Sequence, residues 1–278
     1  MLIDTHAHLD YPAFQEDFAE VLRRAHDAGV TRIISIATGL ESSRRVVALA
    51  EAYPQIFAVV GIHPNHAHEE VGGAIEEIER LAAHPKVVGI GEIGLDFFRL
   101  PGSENGEATE VGMSIEALAQ QRSEIIASQH QTFRALLEVA IRCRKNVVIH
   151  QRSSWEETMA YLREYAGRLQ AVVHCFGGTS QEAQEVLSLG HLVSFTGIAT
   201  FKNGGNMREA AASLPAGSFM VETDCPYLAP VPFRGKRCEP AHVLPIATVL
   251  AAARSESLEA LAGHTTRSAE SFFQLPPR

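Results

Sequence analysis

Along the chain, short β-branched and apolar runs alternate with longer segments whose apolar positions recur every three or four residues. The runs Leu2–Asp4, Arg32–Ala37, Phe57–Gly61, Val87–Gly91, Asn146–Ile149, Ala171–Val173, Leu192–Phe195 and Phe219–Glu222 read as strands. Segments such as Phe14–Ala28 and Ser180–Leu189 between them read as amphipathic helices. Eight strands, each followed by a helical segment, predict an α/β fold, a (β/α)8 TIM barrel formed as a single domain by residues 1–278. A doubly wound open sheet is the competing arrangement, but no glycine-rich dinucleotide fingerprint follows the first strand.

The alternation is regular except once. Between strands four and five the chain runs from Leu95 to Lys145, more than one loop and one helix require. Its first part, RLPGSENGEATEVGMS, is rich in Gly, Ser and Glu and predicts an irregular acidic loop over 99–114. The stretch that follows, IEALAQQRSEIIASQHQTFRALLEVAIRCRK, reads as one long helix or two joined ones. An insertion at about 99–128 within the barrel accounts for both.

Composition narrows the class. A length of 278 residues suits one barrel, and 46% hydrophobic with 21% charged residues is ordinary for a globular protein. No run of about 18 apolar residues predicts a membrane span. The opening MLIDTHAHLD lacks the basic and apolar pattern of a secretory signal, so a cytoplasmic location is expected. Cys143, Cys175, Cys225 and Cys238 show no finger or disulfide spacing and are expected to be reduced thiols. A net charge of -9, from 24 basic and 33 acidic residues, counts against broad affinity for nucleic acid. It leaves room for a local cationic patch.

Active sites of such barrels lie at the C-terminal ends of the strands. The first strand ends in DTHAHLD, and His6 and His8, two apart on extended backbone, point the same way. The fourth ends in GIGEIGLD with Glu92 at its tip, the fifth in VVIHQR with His150, the sixth in AVVHCF with His174, the eighth in MVETDCP with Asp224. Singly, each has a structural explanation: a hydrogen-bonded core histidine, or a carboxylate capping a helix. Together, four imidazoles and two carboxylates are costly to bury unless cations bind them. Six donors exceed what one zinc site needs and predict two ions about 3.5–4 Å apart. His6, His8 and Asp224 are assigned to one ion, His150 and His174 to the other, with Glu92 as the bridge. The mixed N/O donors suit Zn, Mn, Fe or Mg.

The ordered motifs DTHAHLD, GIHP, GEIGLDFF, VVIHQRSS, VVHCFGG, ETDCPYLAP and RGKRCEP resemble the motif series of the TatD family of metal-dependent hydrolases, from residue 3 to about residue 240. The resemblance implies a barrel, a divalent-metal centre and, from the family's best-known members, deoxyribonuclease activity. The family's ligands fall on the same six residues. The chain departs from the pattern at Ser153 and Ser154 of HQRSS, at Gly177 of HCFGG and at Cys238, none of them a candidate ligand.

Further residues are candidates for substrate. His63, in GIHP, can donate to a phosphate or a developing oxyanion, or else lock the turn before Pro64. Arg152 can hold an anion bidentately or pair with a carboxylate. Lys202, after strand seven, and Arg234, Lys236 and Arg237, after strand eight, are placed near the active face, where barrels often bind phosphate. His26, His66, His68, His84, His130, His191, His242 and His264 are read as surface or structural, and a single tryptophan offers no stacking platform by composition. The expected reaction is hydrolysis of a DNA phosphodiester by a metal-activated water, with Asp224 as general base, Glu92 bridging and His63 stabilising charge. The alternatives are a metal-dependent ester, amide or lactone hydrolase, and a non-catalytic metal-binding protein. No obligate protein partner is evident.

Overall fold

In a computed structural model, residues 1–69, 72–103 and 114–277 are described. Residues 104–113 of the acidic loop lie outside them. Eight parallel strands form one sheet in chain order: β1 (Leu2–Ala7), β2 (Val30–Ile36), β3 (Ile56–Val60), β4 (Val87–Asp96), β5 (Asn146–Arg152), β6 (Ala171–Val173), β7 (Leu192–Phe195) and β8 (Phe219–Val221). The sheet closes at the Ala7–Cys225 bridge, where the Asp224 amide donates to the His6 carbonyl (2.9 Å) and the His8 amide to the Cys225 carbonyl (2.8 Å). The expected TIM barrel is the observed fold.

The strands alternate sides as a barrel requires. Ile34, Ile36, Val59, Val148, Val172 and Met220 fill the interior, closed by Phe272 and Phe273. Their neighbours Ile33, Ala58, Val147, Ile149 and Val173 face the outer helices. On β5 the interior parity of Val148 carries on to His150 and Arg152, which sends both side chains toward the mouth.

The helices are α1 (Phe18–Asp27), α2 (Leu40–Ala52), α3 (Ala74–Ala82), α4 (Ile115–Cys143), α5 (Trp155–Glu164), α6 (Ser180–Ser188), α7 (Gly205–Ser213), α8 (Val243–Ala253) and α9 (Leu258–Phe272). The long segment before β5 is one helix of 29 residues. Ser114 caps it by accepting from the Ala117 amide, and Arg144 ends it in the left-handed conformation. Its packing face, Phe133, Leu136, Leu137 and Ala140, follows the helical period. The N-terminal half is largely exposed and rises beside the barrel mouth. Gln129 latches it down, accepting from the Asp96 amide (2.9 Å) and donating to the Asp96 carbonyl (3.0 Å).

Strand boundaries differ from expectation where they matter. β4 runs ten residues, so Glu92 sits inside the strand rather than at its tip. The β4–β5 register places Gly94 opposite His150, and a Cβ at Gly94 would run into the His150 carbonyl oxygen. Its φ of +145° is also one that side chains disfavour. Glycine there lets the two site-bearing strands close.

Candidate metal centre

The six residues predicted from strand ends converge on the barrel mouth in two groups that share Glu92. In the first, His6 Nε2 and His8 Nε2 are 3.3 Å apart, and Asp224 Oδ1 stands 3.6 and 3.4 Å from them. Glu92 Oε2 lies 3.5 Å from His6 and 3.8 Å from His8. In the second, Glu92 Oε1 lies 2.7 Å from His150 Nδ1 and 2.8 Å from His174 Nε2. The two oxygens of one carboxylate thus face opposite donor groups.

The first group has the dimensions of a cation site. Tetrahedral donors about 2.1 Å from an ion stand roughly 3.4 Å from one another, and the observed separations scatter around that value. Its charge balance points the same way. Burial opposes ionisation of Glu92, yet the charge on His174 and hydrogen bonds from His150 and His174 hold it well below the ordinary carboxylate range. Asp224 is buried too and is lowered through His8, His6 and His174. Against their own burial, His8 is raised by Asp224, His150 by Asp96 and Glu92, and His174 by Glu92 and Glu222. Without ions these buried carboxylates raise the proton affinity of three imidazoles, and divalent cations compete for the same nitrogens. The residues fit a divalent-metal centre.

Three of the four imidazoles are aimed by a partner behind them, whereas His6 Nδ1 is buried without one among the described residues. His8 Nδ1 meets the Ile36 carbonyl at 3.0 Å, His174 Nδ1 meets Glu222 Oε1 at 3.3 Å, and His150 Nε2 meets Asp96 Oδ2 at 3.2 Å. Donation from those nitrogens leaves the opposite nitrogen to face the centre. Glu222 is itself held by the Ser194 hydroxyl and the Cys175 amide, both at 2.7 Å. Asp4 accepts from the Thr223 amide (2.9 Å) and hydroxyl (2.7 Å), which fixes the backbone leading into Asp224. Sequence reading missed Asp4, Asp96 and Glu222 in this role. All three stand within four residues of a picked donor, but only the fold shows which way they point.

His63 differs from the other imidazoles. Its Nδ1 accepts from the Asn65 amide at 3.1 Å, so the proton resides on Nε2, which faces His150 Nδ1 at 3.2 Å. Burial and the neighbouring His150 push its pKa down to about 3. His63 is therefore a neutral donor beside the centre.

The centre opens into a cleft of about 940 Å³. Arg99, Arg152, Gln121 and Ile125, with His66 and His68 from the loop after β3, line it on the side of β3, β4 and β5. His66 and His68, expected outside the site, thus border it. Arg152 lies over the Phe98 ring, 3.6 Å from its centroid. Lys202, Arg234, Lys236 and Arg237 are not among the lining residues. Arg237 is turned toward α1, where it makes two 2.7 Å bonds to Asp17, and Arg234 lies 3.7 Å over Phe201. Lys202 and Lys236 are exposed. The loop after β8 has a carboxylate and an aromatic ring within reach of these arginines, a competition that strand-end reasoning does not see. His130, His191 and His264 are structural, bonded to the Tyr161 hydroxyl, the Ala171 amide and Glu256 respectively.

Comparison with known proteins agrees with this geometry. The family described as "TatD related DNase" matches residues 3–274. A metal-dependent hydrolase of Bacillus subtilis, YabD, is 32% identical, with 99% of this chain and 100% of that protein covered. The 3'-5' ssDNA/RNA exonuclease TatD of Erwinia billingiae is also 32% identical, with the same coverage. The crystal structure of the Escherichia coli TatD homologue YjjV superposes with a TM-score of 0.85 at 29% identity, over 99% of this chain and 98% of that one. No helix among the described residues is long and apolar enough to cross a membrane. On these matches, the chain belongs to the TatD family of metal-dependent hydrolases.

Proposed function

We propose that this hydrolase is a phosphodiesterase that cleaves DNA, with two divalent ions held by His6, His8 and Asp224 on one side of Glu92 and by His150 and His174 on the other. The observation that carries the reading is the pairing of this centre with anion donors. The neutral Nε2–H of His63 and the Arg152 guanidinium share one cleft with the donor groups. A phosphodiester brings the negative oxygens these donors lack. The Erwinia billingiae relative named as an ssDNA/RNA exonuclease supports the same substrate class.

Divalent ions held by these residues would supply an acidified water and polarise the scissile phosphate. The chain's own residues do the rest. Arg152, backed by Phe98, fixes a phosphate oxygen, and His63 donates to the charge that develops as water attacks phosphorus. Asp224, its pKa lowered by His8, His6 and His174, accepts a proton from the attacking water and returns one to the leaving oxygen.

The test is cleavage of end-labelled single-stranded DNA with Mg²⁺ or Mn²⁺, beside EDTA and Asp224→Asn controls. Progressive shortening abolished by both controls is expected. Intact DNA after incubation with protein shown to carry its metals overturns the reading. The net charge of -9 then favours an uncharged ester, amide or lactone as substrate.

A further inference from the structure

The cleft has a second wall whose chemistry the hydrolytic centre does not use. Tyr227 lines it with 54% of its surface exposed, the one aromatic among the large exposed hydrophobic side chains of the described residues. Leu228, Ile198 and Tyr11 line the same cleft. Tyr227 follows β8, which adjoins β1 across the closure and lies across the barrel from β4 and β5. The cleft is therefore two-sided, with Arg99 and Arg152 on one flank of the centre and an apolar shelf on the other.

The shelf is rigid. The Tyr227 amide donates to the Asp224 carbonyl at 3.0 Å, and the Cys238 amide to the Pro226 carbonyl at 3.0 Å. The Val231 amide donates to Thr200 Oγ1 at 2.9 Å. Gly197 lets the Leu228 carbonyl approach so closely that a Cβ there would collide with it. Tyr11 stacks on His8 with centroids 5.0 Å apart, and Tyr227 meets Tyr11 edge-on at 6.0 Å and 85°. An exposed ring on a fixed base costs little ordering when a flat partner lands on it. A lone exposed tyrosine on a mobile loop would offer no such advantage.

We infer that Tyr227, flanked by Leu228 and Ile198, is a stacking platform for a nucleobase, so that substrate is gripped by its base on the β8 side and by phosphate on the β4–β5 side. The inference rests on the phosphodiesterase reading for the placement of the phosphate. Every base presents a flat π-face, so such a platform gives affinity without sequence preference. It also requires an unpaired base, because a base stacked within a duplex cannot reach the ring.

Binding of dAMP and of 2-deoxyribose 5-phosphate, which lacks the base, to the Mg²⁺-loaded protein separates the two grips. Calorimetry on wild type and Tyr227→Phe should show dAMP bound about tenfold tighter, the size of one base–aromatic stack. In Tyr227→Ala that preference should shrink to within about twofold. Tyr227 is exposed, so melting temperatures of the variants serve as the check on folding. No preference in wild type, or one that survives Tyr227→Ala, overturns the platform. Loss of the preference in Tyr227→Phe assigns it to the hydroxyl and overturns stacking as well. Oligonucleotide cleavage on the same preparations reports separately on the phosphodiesterase reading. A protein that prefers dAMP yet leaves every oligonucleotide intact keeps the platform and loses that reading.

Discussion

Glu222 does not line the cleft, and the geometry makes it a positioning residue for His174. Its Oε1 accepts from the Cys175 amide (2.7 Å) and His174 Nδ1 (3.3 Å), and its Oε2 from the Ser194 hydroxyl (2.7 Å). Glu222→Gln keeps the shape. Its carbonyl can serve Cys175 and His174, and its amide can donate to a rotated Ser194 hydroxyl. What is lost is the charge on the acceptor, about 1 kcal/mol for each of the two short bonds, so about 2 kcal/mol of stability. Glu222→Ala strands the buried donors and leaves a cavity, at a cost of about 5 kcal/mol. Removing the partner behind a metal-facing histidine weakens metal affinity about 10- to 100-fold. Metal titration of the folded Glu222→Gln variant should show that loss at the site His174 faces. In metal-free protein the His174 imidazole, held well above its ordinary pKa against burial by Glu92 and Glu222, should titrate lower by NMR. A merely structural role for Glu222 would change stability and leave the His174 titration in place. Wild-type metal affinity in the glutamine variant would refute the reasoning.

Chelation should lower the thermal midpoint. Ions at about a hundred times their dissociation constant stabilise by ~2.7 kcal/mol, which corresponds to roughly 5 °C for a chain of this size. Identical melting with and without EDTA, for protein first shown to hold ions, would contradict a cation-filled centre. On the far side of the barrel mouth, Asp17 is held well below the ordinary carboxylate range by Arg237 first and Arg24 second. A depressed folded-state pKa contributes stability that is complete above pH ~4 and is lost as pH falls through the lower folded value. Asp17→Asn should therefore destabilise at pH 7 and cost progressively less in acid. Denaturant unfolding that shows the same gap at pH 7 and pH 3 would rule this out.

Much of this protein was legible in one dimension. Valine and isoleucine runs mark strands because their branched side chains fit a pleated, buried surface, and the regular alternation with helical segments leaves few topologies. The donors were legible for a related reason. A barrel gathers its strand ends at one mouth, so His6, His8, Glu92, His150, His174 and Asp224 could be brought together from their place in the pattern alone. The bounds of β4 were less so, because the glycines of GIGEIGLD break the apolar run that marks a strand, and Glu92 came out inside the strand.

Direction and competition needed three dimensions. The tautomer of His63 depends on the Asn65 amide, and the aim of His174 depends on Glu222, 48 residues away. Arg237 leaves the cleft because Asp17, 220 residues distant, takes both its nitrogens. Tyr227 reads as one more loop aromatic until the closed barrel sets it across the mouth from Arg152. Residue type and periodicity are local and determined the fold and the candidate donor set. Which partner each polar group chooses is a contest between neighbours in space, and only the packed structure decided it.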